Sequence, residues 1–381
     1  MKGPLRLPRP DGSLLDHTPG QPASWTRPTR PIASRIAYAA AHVAARPAGE
    51  NTPGAPAAID WDATLAFRRH LWSFGLGVAE AMDTAQRGMG LDWPAARELI
   101  TRSSAEAHAV GGRIAAGAGT DHVPDVAGLD GVVAAYEQQL EVVHDAGARP
   151  ILMASRQLAG IARGPDDYVK VYGRLLEQAA EPVILHWLGS MFDPALTGYW
   201  GSADLDAATD TLLGIIADHA STVDGVKVSL LDADREVQLR RRLPEGVRVY
   251  TGDDFNYPEL IRTGSDALLG VFAPIAPAAS AALQALDAAD PAGYDRILDA
   301  TVPLARHLFA APTYYYKTGV AFLAWLAGHQ PGFVMVGGLQ SARSAVHLAE
   351  AYRLADGLGL LPDPELAAER VRAFLAVAGV R

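Results

Sequence analysis

The amino-acid sequence predicts an α/β protein, a (β/α)8 TIM barrel with a helical C-terminal extension. Eight short apolar segments that read as strands alternate with helical segments between residues 35 and 272. No G-x-G-x-x-G turn or Walker loop follows these strands, which disfavours an open nucleotide-binding sheet. The chain beyond residue 277 is too long for one closing helix. We predict an N-terminal arm over residues 1–30, a barrel over 31–277, and a helical extension over 278–381 packed on the barrel.

The predicted strands are bounded by Gly, Pro and polar residues, and helical patterns follow them except between the seventh and the eighth. The alanines of the first one leave a helix open as an alternative. The strands span residues 35–43, 77–83, 113–119, 150–154, 182–187, 224–231, 247–251 and 266–272. The helices between them span residues 61–74, with Asp60 as N-cap, then 92 to about 110, 129–146, 165–180, 205–219 and 235–243. The extension has helical patterns over residues 278–286, 294–309, 318–328 and 341–358.

Composition restricts the class of protein and its partners. The formal net charge of -10 argues against a nucleic-acid footprint and against anionic membrane surfaces. The absence of cysteine excludes disulfides, thiol nucleophiles and cysteine-ligated zinc. Residues 1–35 contain no apolar signal-peptide core, and the longest apolar runs are too short to span a bilayer. We therefore expect a soluble cytoplasmic protein that binds neither nucleic acid nor membranes.

Lys227 is the residue on which the functional interpretation depends. In its predicted strand, Val226, Val228 and Leu230 alternate along one face, while Lys227 shares the opposite face with Ser229. A lysine held inside a sheet is costly to desolvate as an ammonium, so its pKa should fall and its amine should become nucleophilic. This is the chemistry of a Schiff-base lysine. The alternative is a lysine near a strand end whose ammonium reaches water.

Other polar residues lie at the predicted carboxyl ends of strands, where barrels collect their active groups. His186 ends an apolar strand, so it is either a general acid or base or a buried structural histidine. Gly252, Asp253 and Asp254 form a tight turn after another strand. Their functional interpretation is the binding of substrate hydroxyls or a metal, and the alternative is an Asx turn or an N-cap.

A metal-dependent aldolase or isomerase is a second interpretation. His186, Glu80 and Asp254, with Asp83 and His42, are ligand types that suit Mn, Mg or Zn, but their spacing forms no recognisable metal motif. We therefore expect no cofactor, with a divalent metal as the alternative. A third interpretation is a barrel that has lost catalysis and binds a metabolite, because a fold does not fix a function.

Taken in order, these motifs resemble the dihydrodipicolinate synthase and N-acetylneuraminate lyase superfamily of class I aldolases. The likeness spans roughly residues 35–360, in a divergent dihydrodipicolinate synthase-like branch. Gly225-Val226-Lys227 resembles the strand that carries the family's imine-forming lysine, and Gly252-Asp253-Asp254 resembles its Gly-Asp-Asp strand end. Further likeness lies in Ala116-Gly117-Ala118-Gly119-Thr120, in Pro182-Val183-Ile184-Leu185, in residues 264–270 and in Tyr316-Lys317.

Two departures from the family pattern bear on function. His186-Trp187-Leu188-Gly189 stands where the family has its Tyr-Asn-Val-Pro, so the relay tyrosine is absent. Met82-Asp83-Thr84-Ala85-Gln86 stands where a Gly-Thr-Thr-Gly-Glu loop holds the keto-acid carboxylate. An aspartate there would repel a carboxylate, so pyruvate is disfavoured as the substrate.

The resemblance therefore implies a carbon-carbon lyase or aldolase that acts on a polar carbonyl compound, such as a sugar-derived one. Lys227 would form the Schiff base, and His186 would move the proton. The substrate-binding residues would be Asp83, Thr84, Ser229, Gly252, Asp253 and Asp254. The resemblance also implies a homo-oligomer.

Overall fold

The computed structural model describes residues 4–380 of the chain, which form two compact units. The barrel unit contains residues 35–41 and 77–270. The second unit, called here the terminal unit, contains residues 4–34, 42–76 and 271–380. The three-part division expected from the sequence stays a prediction. Within residues 4–380, no helix combines the length and apolarity needed to cross a membrane.

The N-terminal part of the terminal unit begins with a hairpin and contains one long helix. Strands β1 (Leu5–Pro8) and β2 (Leu14–His17) pair in antiparallel register. Helix α1 (Trp61–Ser73) begins where expected, because the Asp60 carboxylate accepts a hydrogen bond of 3.0 Å from the Ala63 N–H. The predicted arm is thus partly a small sheet.

Eight parallel strands close into a barrel in the barrel unit, as the sequence predicts. Each strand pairs with its neighbour in the chain, and β10 pairs with β3 to complete the closure. The strands are β3 (Ala37–Ala40), β4 (Gly77–Glu80), β5 (Ile114–Ala118), β6 (Arg149–Leu152), β7 (Val183–Leu188), β8 (Val223–Ser229), β9 (Arg248–Thr251) and β10 (Asp266–Leu269). Parallel strands place all their carboxyl ends on the same rim.

Helices connect the strands of this unit and cover their outer faces. They are α2 (Trp93–Val110), α3 (Gly128–Asp145), α4 (Arg156–Ile161), α5 (Pro165–Glu177), α6 (Leu205–Asp218), α7 (Ala233–Arg242) and α8 (Tyr257–Arg262). The sequence analysis missed α4 and α8, because six residues are too few to show a helical period.

The C-terminal part of the terminal unit is helical, as predicted, but is divided differently. Its helices are α9 (Ala276–Asp287), α10 (Pro291–Leu298), α11 (Val302–Leu308), α12 (Tyr316–Leu326), α13 (Ala345–Gly357) and α14 (Pro364–Val377). The helix predicted over residues 294–309 is interrupted, because α10 ends at Leu298 and a 3-10 turn over Asp299–Thr301 precedes α11. Pro303 lacks a backbone N–H and fits only the first turn of a helix, so a new helix, α11, begins there. Helix α14 was not predicted.

Side chains alternate between the two faces of the barrel strands. One face contributes Tyr38, Ile151, Ile184, Tyr250 and Leu268 to a buried cluster inside the barrel. The other face packs against the helices through a second cluster that includes Leu152, Leu185, Val226, Val228 and Val249. Because Val226 and Val228 face the helices, the residues between them on β8 face the interior.

A buried carboxyl group on α7 makes the stability of the fold depend on pH. The Ser265 hydroxyl donates a 2.8 Å hydrogen bond to Oε1 of Glu236, and Arg240 donates one of 2.7 Å to the same hydroxyl. Burial is the largest influence on Glu236 and raises its pKa to about 8. The native state therefore binds more protons than the unfolded chain between about pH 4.5 and 8, and stability should fall as pH rises through that window.

We expect Glu236→Gln to remove most of this dependence. Its free energy of unfolding should match the wild type near pH 5 and exceed it by more than about 1 kcal/mol at pH 8.5, since each pKa unit is worth about 1.4 kcal/mol. Urea denaturation across this range measures the effect, and the exposed Glu245→Gln is the matched control. Equal pH dependence in Glu236→Gln and the wild type would contradict the assignment.

Candidate active site

Lys227 lies on the inner face of β8, two residues before Ser229, the last residue of the strand. It pairs in register with His186 on β7 and with Tyr250 on β9. Its side chain is only 7% exposed, and among residues 4–380 it has no hydrogen bond or ion pair. Burial lowers its pKa, and the nearby charges of Asp83 and Asp254 oppose that shift without cancelling it. The site thus contains a buried amine that loses its proton more readily than an ordinary lysine.

His186 presents a neutral imidazole beside this amine. It shares the inner face of β7 with Ile184, and its Nε2 lies 3.4 Å from the hydroxyl of Ser229. Its Nδ1 is buried with no hydrogen-bond partner among the described residues. Burial, and then the charge of Lys227, hold the pKa of His186 well below its usual value. The ring is therefore uncharged at neutral pH and can both accept and donate a proton.

Asp83 follows β4 and starts a single 3-10 turn that spans Asp83–Ala85. It is half-buried, and its charge opposes the burial-driven fall in the pKa of Lys227. Among residues 4–380 its carboxylate makes no hydrogen bond or ion pair. Thr84 is buried in the same turn. The structure thus brings the predicted Asp83 into electrostatic range of Lys227, with an acceptor still available to a ligand.

Gly252, Asp253 and Asp254, in the turn after β9, have different structural roles. A Cβ at Gly252 would lie 2.8 Å from the Val228 carbonyl and 3.0 Å from Cε of Lys227, so only glycine fits without displacement. Asp254 is buried, and its charge also acts on Lys227.

Asp253 serves the turn itself. Its carboxylate accepts hydrogen bonds from the Phe255 N–H at 2.8 Å, the Asn256 N–H at 3.0 Å and the Asn256 amide at 2.9 Å. These bonds correspond to the Asx-turn alternative. The assignment of Asp253 to substrate binding stays a prediction.

The structure does not assemble the alternative set of metal ligands. Glu80 is fully buried and lies out of phase with Ala79, which faces the barrel interior. Its Oε1 accepts a 2.9 Å hydrogen bond from the Ala81 N–H. In the described part of the chain, no three His, Asp or Glu side chains are grouped as a metal site. His186, Glu80 and Asp254 therefore do not converge.

Sequence reasoning missed Arg87, which anchors the loop that carries Asp83. Its guanidinium is buried and donates hydrogen bonds to the carbonyls of Ala81 and Gly117, each at 3.2 Å. It also donates to Oδ2 of Asp121 at 2.9 Å and to Oε1 of Gln139 at 2.8 Å. Burial alone would raise the pKa of Asp121, but the charge and hydrogen bonds of Arg87 outweigh it and lower that pKa. Its sequence context, a short glycine-containing loop, gave no signal of this role.

Comparison with known proteins places the chain in a family. Residues 5–380 match the family described as "Protein of unknown function (DUF993)". The chain belongs to this family. No curated protein matches the sequence.

Solved structures share the fold. The dihydrodipicolinate synthase of Oceanobacillus iheyensis is 15% identical with a TM-score of 0.62, covering 91% of this chain and 97% of its own. A putative dihydrodipicolinate synthetase of Pseudomonas aeruginosa is 16% identical, with a TM-score of 0.66 and coverage of 85% and 99%. The Thermotoga maritima dihydrodipicolinate synthase is 15% identical, with a TM-score of 0.64 and coverage of 86% and 100%. The resemblance predicted from the sequence motifs is thus confirmed at the level of fold.

Proposed function

We propose that this protein is a class I aldolase-like lyase in which Lys227 forms a Schiff base with a polar carbonyl substrate. One observation carries the proposal. Lys227 is a buried amine with no hydrogen-bond partner in the described structure, at the carboxyl end of a barrel strand, and burial lowers its pKa. A structural lysine would be expected to have a carboxylate or carbonyl partner, or to extend into water. The fold shared with dihydrodipicolinate synthases supports the proposal.

The reaction needs no cofactor, because the lysine provides the electron sink. The Nζ lone pair of Lys227 attacks the carbonyl carbon, and loss of water leaves a protonated imine. A base removes the proton from the hydroxyl group on the carbon beyond the breaking bond, and this carbon leaves as an aldehyde or ketone. The imine nitrogen accepts the electron pair of the broken carbon-carbon bond, which gives an enamine. Protonation of the enamine carbon and hydrolysis return the amine and the shortened carbonyl product. Bond formation is the same sequence in reverse.

We assign to His186 the proton transfers that these steps require. His186 is paired with Lys227 across the strands, and its Nε2 lies 3.4 Å from the Ser229 hydroxyl. A neutral imidazole can take a proton from the attacking amine and return it to the departing hydroxide. His186 would thus replace the relay tyrosine that the family motif has at this position.

Charge around Lys227 favours a neutral polyhydroxylated substrate over a 2-keto acid. The negative charges of Asp83 and Asp254 both raise the pKa of the Lys227 amine. The Arg87 guanidinium already forms an ion pair with Asp121. A substrate carboxylate would meet like charges, whereas sugar hydroxyls can donate hydrogen bonds to Asp83 and Asp254. Thr84, Ser229 and the backbone at Gly252 complete the proposed contacts.

Borohydride reduction in the presence of carbonyl compounds tests the proposal. Hydroxyacetone, dihydroxyacetone, erythrulose, xylulose and fructose form the neutral set, and pyruvate and 2-ketobutyrate form the acidic set. The chain has four lysines, Lys2, Lys170, Lys227 and Lys317, so peptide mapping is unambiguous. We expect a neutral compound to leave an adduct on Lys227 whose mass is that of the compound less one oxygen. No adduct from either set, with a Schiff-base aldolase trapped in parallel, would reject the proposal.

The Asp83→Asn variant tests the substrate class. Removal of the carboxylate abolishes its repulsion of acidic substrates and lowers the pKa of Lys227 further, because the charge that opposed the burial effect is gone. Trapping by pyruvate should become at least about fivefold faster, since like charges near a protein surface repel by roughly 1 kcal/mol or more. The pH midpoint of trapping should move downward. The exposed Asp125→Asn is the control, and an unchanged pyruvate rate in Asp83→Asn would contradict this role.

A further inference from the structure

A cavity of about 320 Å³ lies wholly within the terminal unit. This volume is at the lower end of the range for small-molecule sites. Segments far apart in the sequence line it, including residues 23–27, helix α1, the start of the C-terminal helices, and residues 323–329 of α12 and the turn after it. Most of its wall is alanine, proline, leucine and aromatic side chains. The polar lining side chains are those of Trp25, Arg27, His70 and His329.

Aromatic rings and histidines form one contiguous wall of this cavity. The ring centroids of His70 and His329 are 4.3 Å apart, and the Phe67 ring lies 5.1 Å from His329. Phe74 meets His70 edge-on at 5.1 Å, and the Arg27 guanidinium lies 5.6 Å from the centroid of the Phe74 ring. A flat apolar group could therefore pack between rings while its polar end reaches the histidines and Arg27.

Three of the four polar side chains that line this cavity have no hydrogen-bond partner among the described residues, whereas the Trp25 indole N–H donates to the Gly359 carbonyl at 3.2 Å. None of the lining residues is acidic. Among residues 4–380, Arg27 has no ion pair, and no hydrogen bond is made by its guanidinium or by the rings of His70 and His329. Burial lowers the pKa of His70 to about 3 and that of His329 to about 4, so both rings are neutral and each offers one N–H.

We propose that this cavity is a second ligand site, for a small carboxylate with an aromatic or branched apolar body. The Arg27 guanidinium and the imidazole N–H groups would bind the carboxylate, since charge-assisted hydrogen bonds to a guanidinium are among the strongest available. The apolar body would fill the space bounded by Phe67, Phe74 and the aliphatic wall. A divalent cation is a poorer fit, because the cavity has two imidazoles, no carboxylate and a guanidinium. The proposal does not depend on the chemistry of Lys227.

Calorimetric titration of the full-length protein with sodium phenylacetate, benzoate and 3-methylbutanoate tests the site. Phenylacetamide, which has the same shape as phenylacetate without its charge, is the matched probe. We expect at least one carboxylate to bind with a Kd below about 1 mM, within the range for ligands of this size. Phenylacetamide should bind at least about tenfold more weakly than phenylacetate, because it lacks the charge-assisted bonds.

Variants locate the binding to this cavity. Arg27→Gln should weaken carboxylate binding about tenfold and leave phenylacetamide binding unchanged, while His329→Gln, which keeps an N–H donor, should weaken it less. Arg97→Gln, on the exposed face of α2, should have no effect. Thermal unfolding of each unliganded variant checks that it is folded. Equal affinity for phenylacetate and phenylacetamide, full binding by Arg27→Gln, or no binding of all three carboxylates would each overturn the proposal.

Discussion

Replacement of Lys227 by arginine or methionine is expected to lower the rate of borohydride trapping at least about a thousandfold. Imine formation needs a primary amine that can lose its proton and then expel water, and neither side chain provides one. Comparison of the two variants distinguishes the effect of the positive charge at residue 227 from that of its reactive amine. Arginine keeps a positive charge beside Asp83 and Asp254. Methionine removes the positive charge with which both carboxylates interact. Intact mass and peptide mapping of the reduced protein measure the outcome.

Lys170→Met provides the control, because Lys170 is exposed on α5. This variant should trap at the wild-type rate. Lys317 is buried near the start of α12, 5.2 Å from the Tyr316 ring centroid, so it distinguishes a buried lysine from the reactive one. An adduct on Lys317, or continued trapping by Lys227→Met, would reject Lys227 as the imine-forming residue and leave the fold assignment intact.

Arg87→Met is expected to lower the free energy of unfolding by about 3 to 5 kcal/mol. The substitution leaves Asp121 without its ion pair, and leaves the Ala81 and Gly117 carbonyls and Gln139 Oε1 without the donor that Arg87 supplied. Each buried polar atom left without its partner typically costs about 1 to 3 kcal/mol, whereas the Asp121 carboxylate, whose side chain is 32% exposed, can regain contact with water. Urea denaturation with analysis of the midpoint and slope measures the loss.

Arg87 also holds the backbone that presents Asp83. Ala81 has a φ of 51°, which a residue with a side chain rarely adopts, and the Arg87 guanidinium bonds to its carbonyl. Arg87→Lys keeps the charge but lacks the planar fork, so it should recover only part of the stability. Arg97→Met on the exposed face of α2 should change stability by less than about 0.5 kcal/mol. A wild-type midpoint for Arg87→Met would contradict the structural role.

The barrel and its catalytic candidates could be predicted because each depends on local periodicity. Alternation along β8 put Lys227 and Ser229 on one face, and the structure has them so. His186 was singled out as the polar end of an apolar strand, and the register now pairs it with Lys227. Asp60 caps the helix that the sequence assigned to it. Each of these inferences uses residues within one turn or one strand.

Features that join distant segments could not be predicted in this way. Arg87 reaches Gln139 across 52 positions, and His70 meets His329 across a far longer separation. No spacing rule links such residues. Asp253 shows a different limit, since an aspartate after Gly252 is equally consistent with a ligand contact and with a turn. Only the hydrogen bonds from Phe255 and Asn256 separate the two.

The large side chains inside the barrel have a consequence for the order of events at Lys227. Tyr38 and Tyr250 lie with their ring centroids 6.0 Å apart, and a Cβ at Gly225 would come within 2.9 Å of the Tyr250 ring. This layer is buried and closes the barrel beneath the lysine. If Lys227 forms an imine as proposed, reactants and products must enter and leave by the rim where Asp83 and Asp254 lie. In a condensation, the compound that becomes the imine would then have to bind first, because the second reactant would block access to Lys227.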